Sequence, residues 1–151
     1  MMRKILVAVT VLTASLALTG LSLGAGSGTT KLTAATKLTA TLNNAQEVPK
    51  PDADEGSGRF TGTLTGRSLK WKLTFRKLTG PAAAAPIHLG KRGKAGAVAV
   101  ALCGPCTSGA HGKTRVSASI AKALKNRGTY VNVHTAKNAD GEIRGQIKKA
   151  G

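Results

Sequence analysis

Aromatic residues are scarce in this chain: among 151 residues there are two Phe, one Trp and one Tyr. Surfaces that hold single-stranded nucleic acid stack bases on exposed rings. Here Phe60, Trp71 and Phe75 fall on the apolar faces of strands, so no specific nucleic-acid partner is expected. Acids are scarce too, six against 23 Lys and Arg, and four of the six crowd into Asn43 to Gly58 instead of forming a paired cleft. No GxSxG elbow, HExxH helix or glycine-rich phosphate loop occurs, so the chain is not expected to be an enzyme. No stretch sustains a 3.6-residue period, which argues against a helical fold. The one long apolar run, Ile5 to about Leu18, is shorter than the roughly 20 residues of a spanning helix.

That run has a different meaning. Arg3 and Lys4 precede it and a small-residue zone around Ser22 to Gly28 follows, the layout of a secretory signal peptide. The division expected is a signal peptide over 1–26, a flexible leader over 27–36 and one domain over 37–151. No cysteine follows the run, which argues against a lipid-modified N-terminus. The mature form would then have no transmembrane anchor and would lie outside the cell or in its envelope. Cleavage removes two of the 23 basic residues and none of the six acids, so the formal charge of +17 falls only to +15. A field of that sign attracts polyanions. Candidate contacts are Lys70, Lys72, Arg76 and Lys77, and again Lys91, Arg92 and Lys94. The expected partners are anionic envelope polymers or another extracellular protein. The alternative is a generically cationic, soluble surface.

Several short alternating segments predict antiparallel strands. LTATL, Leu38 to Leu42, is the first, and a long loop over Asn43 to Gly58 follows. In RFTGTLTGRSLKWKLTF, a type II′ turn at Gly66-Arg67 pairs Leu64 with Leu69, Gly62 with Trp71 and Phe60 with Leu73. Every large apolar residue then shares one face, Gly62 leaves room for Trp71, and Lys70, Lys72, Thr74 and Arg76 share the other. AAAAPIHLG reads as a strand carrying His88, AVAVAL as a strand covered on both faces, and VSASI as another strand. ALKNRG reads as one helical turn ended by Gly128, and His111 in SGAHG as a solvated loop residue. Cys103 and Cys106 lie in CGPC, which has the spacing of a redox dithiol but no amphipathic helix behind it. A structural disulfide is preferred for an exported chain over redox catalysis or metal-bound thiols.

The segment YVNVHTAKNADGEIRGQI, Tyr130 to Ile147, reads as a hairpin around NADG. Parity allows two registers that keep its valines and isoleucines on one face. One pairs Val133 with Ile143 and sets His134 opposite Glu142, Asn132 opposite Arg144 and Tyr130 opposite Gln146. The other sets His134 opposite Arg144. In both, Tyr130, Asn132, His134, Glu142, Arg144 and Gln146 form a structural polar ladder. No cofactor is expected. The rival reading is a copper or zinc site made by His88, His134 and Glu142, which is few ligands for such an ion.

EVP at Glu47 to Pro49, FRKLTG at Phe75 to Gly80, PIHLG, YVNVHT and GEIRGQ together resemble the CHRD domain, a family named for the extracellular antagonist chordin. The resemblance covers about residue 37 to the end. It implies an all-β, antiparallel, immunoglobulin-like β-sandwich with some likeness to copper/zinc superoxide dismutase. It also implies a single or repeated extracellular module, for whose microbial members no activity is established. One departure weakens a metal site on that strand: the family commonly shows HIH where this chain has PIH, so Pro86 replaces the first histidine and His88 matches the second.

Overall fold

Alternation of large apolar residues with threonine, lysine and arginine gives each strand one face that leaves water and one that keeps it. In the computed structural model, which describes residues 33–151, the strands are β1 (Ala35–Asn43), β2 (Ser57–Thr65), β3 (Ser68–Arg76), β4 (Ala82–Leu89) and β5 (Val98–Cys103). β6 (His111–Arg115), β7 (Thr129–Thr135), β8 (Ile143–Gln146) and the two-residue β9 (Lys148–Lys149) complete them, with one helix, α1 (Ala118–Lys125). The fold is all-β, as expected. The signal peptide expected over 1–26 and residues 27–32 of the leader lie outside the described residues. The sheet starts before the expected boundary at 37, since Ala35 pairs with Thr65 and Thr36 with Leu64.

All pairings are antiparallel, in the order β5-β4-β7-β8-β1-β2-β3-β6, with β9 added to β1. The two ends of that order are joined by the segment between β5 and β6. Cys106 N donates to Ala82 O of β4, while Gly109 N donates to Leu73 O and Leu73 N to Ala110 O on β3. The Cys103–Cys106 disulfide ties this segment to β5 with its Cα atoms 5.4 Å apart, which bears out the structural bridge read from CGPC. The sheet thus curls nearly closed around one core. Leu38, Leu42, Phe60, Leu64, Leu69 and Leu73 fill it from one side, and Ile87, Val131, Val133, Ile143 and Ile147 from the other. Burial of one such side chain contributes about 1.5–3 kcal/mol.

The β2–β3 hairpin has the expected register, with Leu64 opposite Leu69, Gly62 opposite Trp71 and Phe60 opposite Leu73. Gly66 has φ 58, the positive value a type II′ turn needs at its first position. The space for Trp71 comes from elsewhere than expected. A Cβ on Gly62 would meet Leu69 Cδ1 and the Phe60 ring, whereas a Cβ on Gly112 of β6 would stand 2.9 Å from Trp71 Cζ2.

Four other expectations are corrected. AVAVAL forms an edge strand with Val98 60% exposed, because alternation with alanine does not specify a neighbour on both sides. VSASI is the entry to α1: Ser117 Oγ caps the helix by accepting from Ile120 N, and Val116 and Ala121 occupy the N′ and N4 positions of a hydrophobic staple. The left-handed residue at its end is Arg127, φ 55, while a Cβ on Gly128 would stand 3.3 Å from Ala123 Cβ. His111 opens β6, whose HGKTR sequence has no apolar alternation. β6 pairs with β3 through the backbone, with Gly112 directly opposite Trp71 and close against its indole.

Gly112→Ala is therefore expected to cost about 1–3 kcal/mol by overpacking and to shift the emission of Trp71, the chain's single tryptophan. Gly62→Ala should leave that emission unchanged. Fluorescence and urea unfolding of both variants check this, and identical Trp71 spectra would refute it.

Candidate functional site

β7 and β8 pair Val133 with Ile143, Asn132 with Arg144 and Tyr130 with Gln146, the first of the two registers that parity allows. Val131, Val133 and Ile143 face the core, and the polar set faces away from it. β4 adds His88 opposite Tyr130. A polar sheet face is ordinarily wet, yet Tyr130, Asn132 and Arg144 are at most 3% exposed. Two loops cover them. Residues 90–96 fold over one end, where Arg144 Nη2 donates to Lys91 O at 3.0 Å and Lys94 O at 2.8 Å. Gln146 Nε2 donates to Gly90 O at 2.9 Å, and Tyr130 Oη accepts from Gly96 N at 3.2 Å. The segment after β1 covers the other end, where Glu47 Oε1 accepts from Asn132 Nδ2 at 3.3 Å and Val48 N at 3.0 Å.

Tyr130 on the central strand is flanked from both neighbours. The Arg144 guanidinium from β8 lies 3.4 Å from its ring centroid, a cation–π contact. The His88 ring from β4 stacks nearly parallel at 4.9 Å. Burial lowers the Arg144 pKa from its ordinary value, opposed by Tyr130 and Glu47. Burial likewise lowers that of His88, with Arg144 and His134 adding to the effect and the Gly96 carbonyl opposing it.

The structure brings His88 and His134 together, ring centroids 6.0 Å apart. His88 Nδ1 meets Gly96 O and His134 Nδ1 meets Ala139 O, each at 2.8 Å. A carbonyl only accepts, so each Nδ1 carries a proton, and Nε2 is the nitrogen left to present a lone pair in the neutral tautomer. Glu142 does not join them. Gly141, φ 128, bends the chain ahead of β8, and the Glu142 side chain leaves the ladder face on which simple alternation places it. Its fully buried carboxylate accepts from Thr79 N (2.7 Å), Thr79 Oγ1 (2.6 Å), Thr135 Oγ1 (2.6 Å) and Asn138 Nδ2 (3.0 Å). Among the described residues no three His, Cys, Asp or Glu side chains form a group that could hold a metal.

The two buried glutamates titrate in opposite directions. Burial raises the Glu142 pKa, but the hydrogen bonds from Thr135, Thr79 and Asn138 outweigh it, and the net value is lowered. Burial raises Glu47, and there the Val48 N–H and the Arg144 charge do not overcome it. Glu47 was legible only as part of EVP, Thr79 and Thr135 only as part of FRKLTG and YVNVHT, and Asn138 only as a turn residue, because the shared role of the last three is fixed by contact with the Glu142 carboxylate.

The basic candidates fall into separate groups. Lys70, Lys72 and Arg76 project from β3 on the face opposite Leu69, Trp71 and Leu73. Lys77 stands beyond the strand and pairs with Glu55 at 3.3 Å, an exposed pair worth about 0–1 kcal/mol. Lys91, Arg92 and Lys94 ride on the loop that Arg144 holds. His111 is exposed, with Nδ1 3.2 Å from Gly109 O. Both cysteines are in the disulfide.

Glu142→Gln turns an amide donor toward donors, at an expected cost of about 1–3 kcal/mol at neutral pH. Because the folded carboxyl pKa is lowered, its contribution is complete above the ordinary glutamate range and is lost as pH falls through the folded value. The gap between wild type and variant should close in acid. For Glu47 the sign reverses, its contribution being lost as pH rises through the raised value, so Glu47→Gln should be tolerated at neutral pH. Thermal melts across pH check both; equal losses at pH 7 would contradict the assignment.

No curated protein and no solved structure matches the chain. The CHRD domain family matches residues 38–147, a span that runs from β1 through the covered ladder to the end of the Gly141–Gln146 segment. With that span and these motifs in the closed antiparallel sheet, the chain belongs to the CHRD domain family.

Proposed function

We propose that this chain is an exported, non-enzymatic CHRD module that holds anionic polymers at the cell envelope through the outer face of β1, β2, β3 and β6. One observation carries the reading, the register of like charges. Lys70 stands directly opposite Lys113, and Lys37 and Lys70 flank Thr63 from either side. Arg59, Lys72 and Arg115 share this face. Like charges directly opposed destabilise a sheet, and none of the six acids stands on any strand. The repulsion is thus left without compensation from within these strands, and a bound polyanion would relieve it. Threonine and serine between the cations supply hydrogen-bonding groups without competing charge. The partners of His88 and His134 are backbone carbonyls rather than hydroxyls or thiols, which supports a module without catalysis.

The second reading is a copper or zinc site at His88 and His134, favoured by the two Nε2 lone pairs that the Nδ1–carbonyl bonds leave over, the second-sphere arrangement of ligating imidazoles. Two protein ligands fall short of the usual three or four, and the Arg144 charge disfavours a cation nearby.

Binding to an immobilised acidic polymer should weaken steeply as salt rises, and Lys70→Glu with Lys72→Glu should reduce it further. Binding that persists unchanged across a wide salt range would sink the reading. For the rival, a copper- or zinc-dependent rise in melting temperature that chelator reverses and His88→Gln abolishes would replace it.

A further inference from the structure

Beside the outer face lies a cleft of about 570 Å³ between the 90–96 loop, the end of α1 and the β8–β9 edge. Its cations are Lys91, Arg92, Arg127 and Lys148, drawn from three separate parts of the chain, and no acid lines it. All four side chains are exposed. The backbones that carry two of them, Lys91 and Arg127, are fixed by ladder residues. Gln146 Nε2 donates to both Gly90 O and Arg127 O, each at 2.9 Å, and Arg144 Nη2 to Lys91 O at 3.0 Å. Arg127 is held at φ 55, a left-handed conformation that non-glycine residues seldom adopt. The buried ladder therefore presets the positions from which these cations project, and preorganised groups lose less on binding.

The remaining walls decide the ligand's chemistry. They carry the amides of Asn43, Gln46 and Asn126 and the hydroxyl of Thr41, which suit sugar hydroxyls. No aromatic residue lines the cleft, so it offers no platform for a base and no large apolar anchor for a protein hot spot. Lys148 pairs with Thr39 and Thr41 with Arg59, so the cleft opens directly onto the cationic outer face. We infer that this cleft is a subsite for a short, carboxylate-bearing segment of an acidic polysaccharide whose continuation lies across that face. The inference rests on the polyanion reading above and names its substrate class.

The test is titration calorimetry of the whole domain with a size-defined oligogalacturonate, using inorganic phosphate and a neutral glucan oligomer as comparators. Arg127→Gly removes the charge and keeps a residue suited to φ 55, so it should fold with an unchanged melting temperature. It is expected to weaken oligogalacturonate binding about tenfold, the loss of one charged hydrogen bond. Lys122→Gln on α1, exposed and outside the cleft, removes the same charge and should leave binding unaltered. Equal effects of the two substitutions, or oligogalacturonate binding no tighter than phosphate, would overturn the cleft. If long acidic polymers still bind through Lys70 and Lys72 in that case, the outer-face reading survives alone. If no acidic polymer binds the wild type, both fall.

Discussion

Arg144 heads the largest fully buried side chains in the described protein, and its guanidinium sets the terms for the face around it. A cation taken out of water must be met by acceptors or by a polarizable surface. Here two loop carbonyls meet Nη2 and the Tyr130 ring meets the guanidinium face, while Nη1 has no hydrogen-bond partner and the Glu47 carboxylate is near enough to act on the charge. Since the carbonyls belong to residues 91 and 94, satisfying Arg144 means closing the 90–96 loop over the sheet. That closure covers Tyr130, positions Gly96 against His88, and leaves the loop's lysines and arginine outside. One buried charge thus converts a wet sheet face into a second, polar core.

The two carboxylates show how local donors decide the fate of a buried acid. Glu142 is enclosed completely and still favours its charged form, because backbone, hydroxyl and amide donors converge on it. Glu47 has one N–H and one amide on Oε1, and Oε2 has no partner. Its burial therefore dominates. Both carboxylates are thus enclosed within the fold, one by converging donors and the other by burial.

Much of the fold was legible in short-range pattern. Parity on Phe60, Leu64, Leu69, Trp71 and Leu73, with the Gly66-Arg67 turn, gives the β2–β3 register, and parity on Val133 and Ile143 narrows that of β7–β8 to two, because a slip by one residue would expose every large side chain. CGPC gave its bridge for a similar reason, two thiols being held close by the chain itself. Where pattern was weak it misled. VSASI alternates over five residues, too few to outweigh a capping serine and the apolar spacing of Ala121 and Leu124 that follows. HGKTR has no apolar face, and its place in the sheet is made by backbone pairing with β3, with Gly112 set against the Trp71 ring.

The sequence alone determined most of the strands, the β2–β3 register, the family motifs and the sign of the surface charge, since each follows from side-chain alternation or composition within a few residues. It also placed Tyr130, Asn132, Arg144 and Gln146 on one face. Tertiary structure decided that this face is buried, because its covers come from residues about 50 and 85 positions away, as fixed by the Lys91, Lys94 and Glu47 contacts. It turned Glu142 off the ladder through the φ of Gly141 and met it with Thr79. It also separated the basic residues into an outer face and a cleft, gathering Arg127 and Lys148 beside Lys91 and Arg92. No linear pattern encodes that grouping, because charges on different elements become neighbours only when the sheet closes.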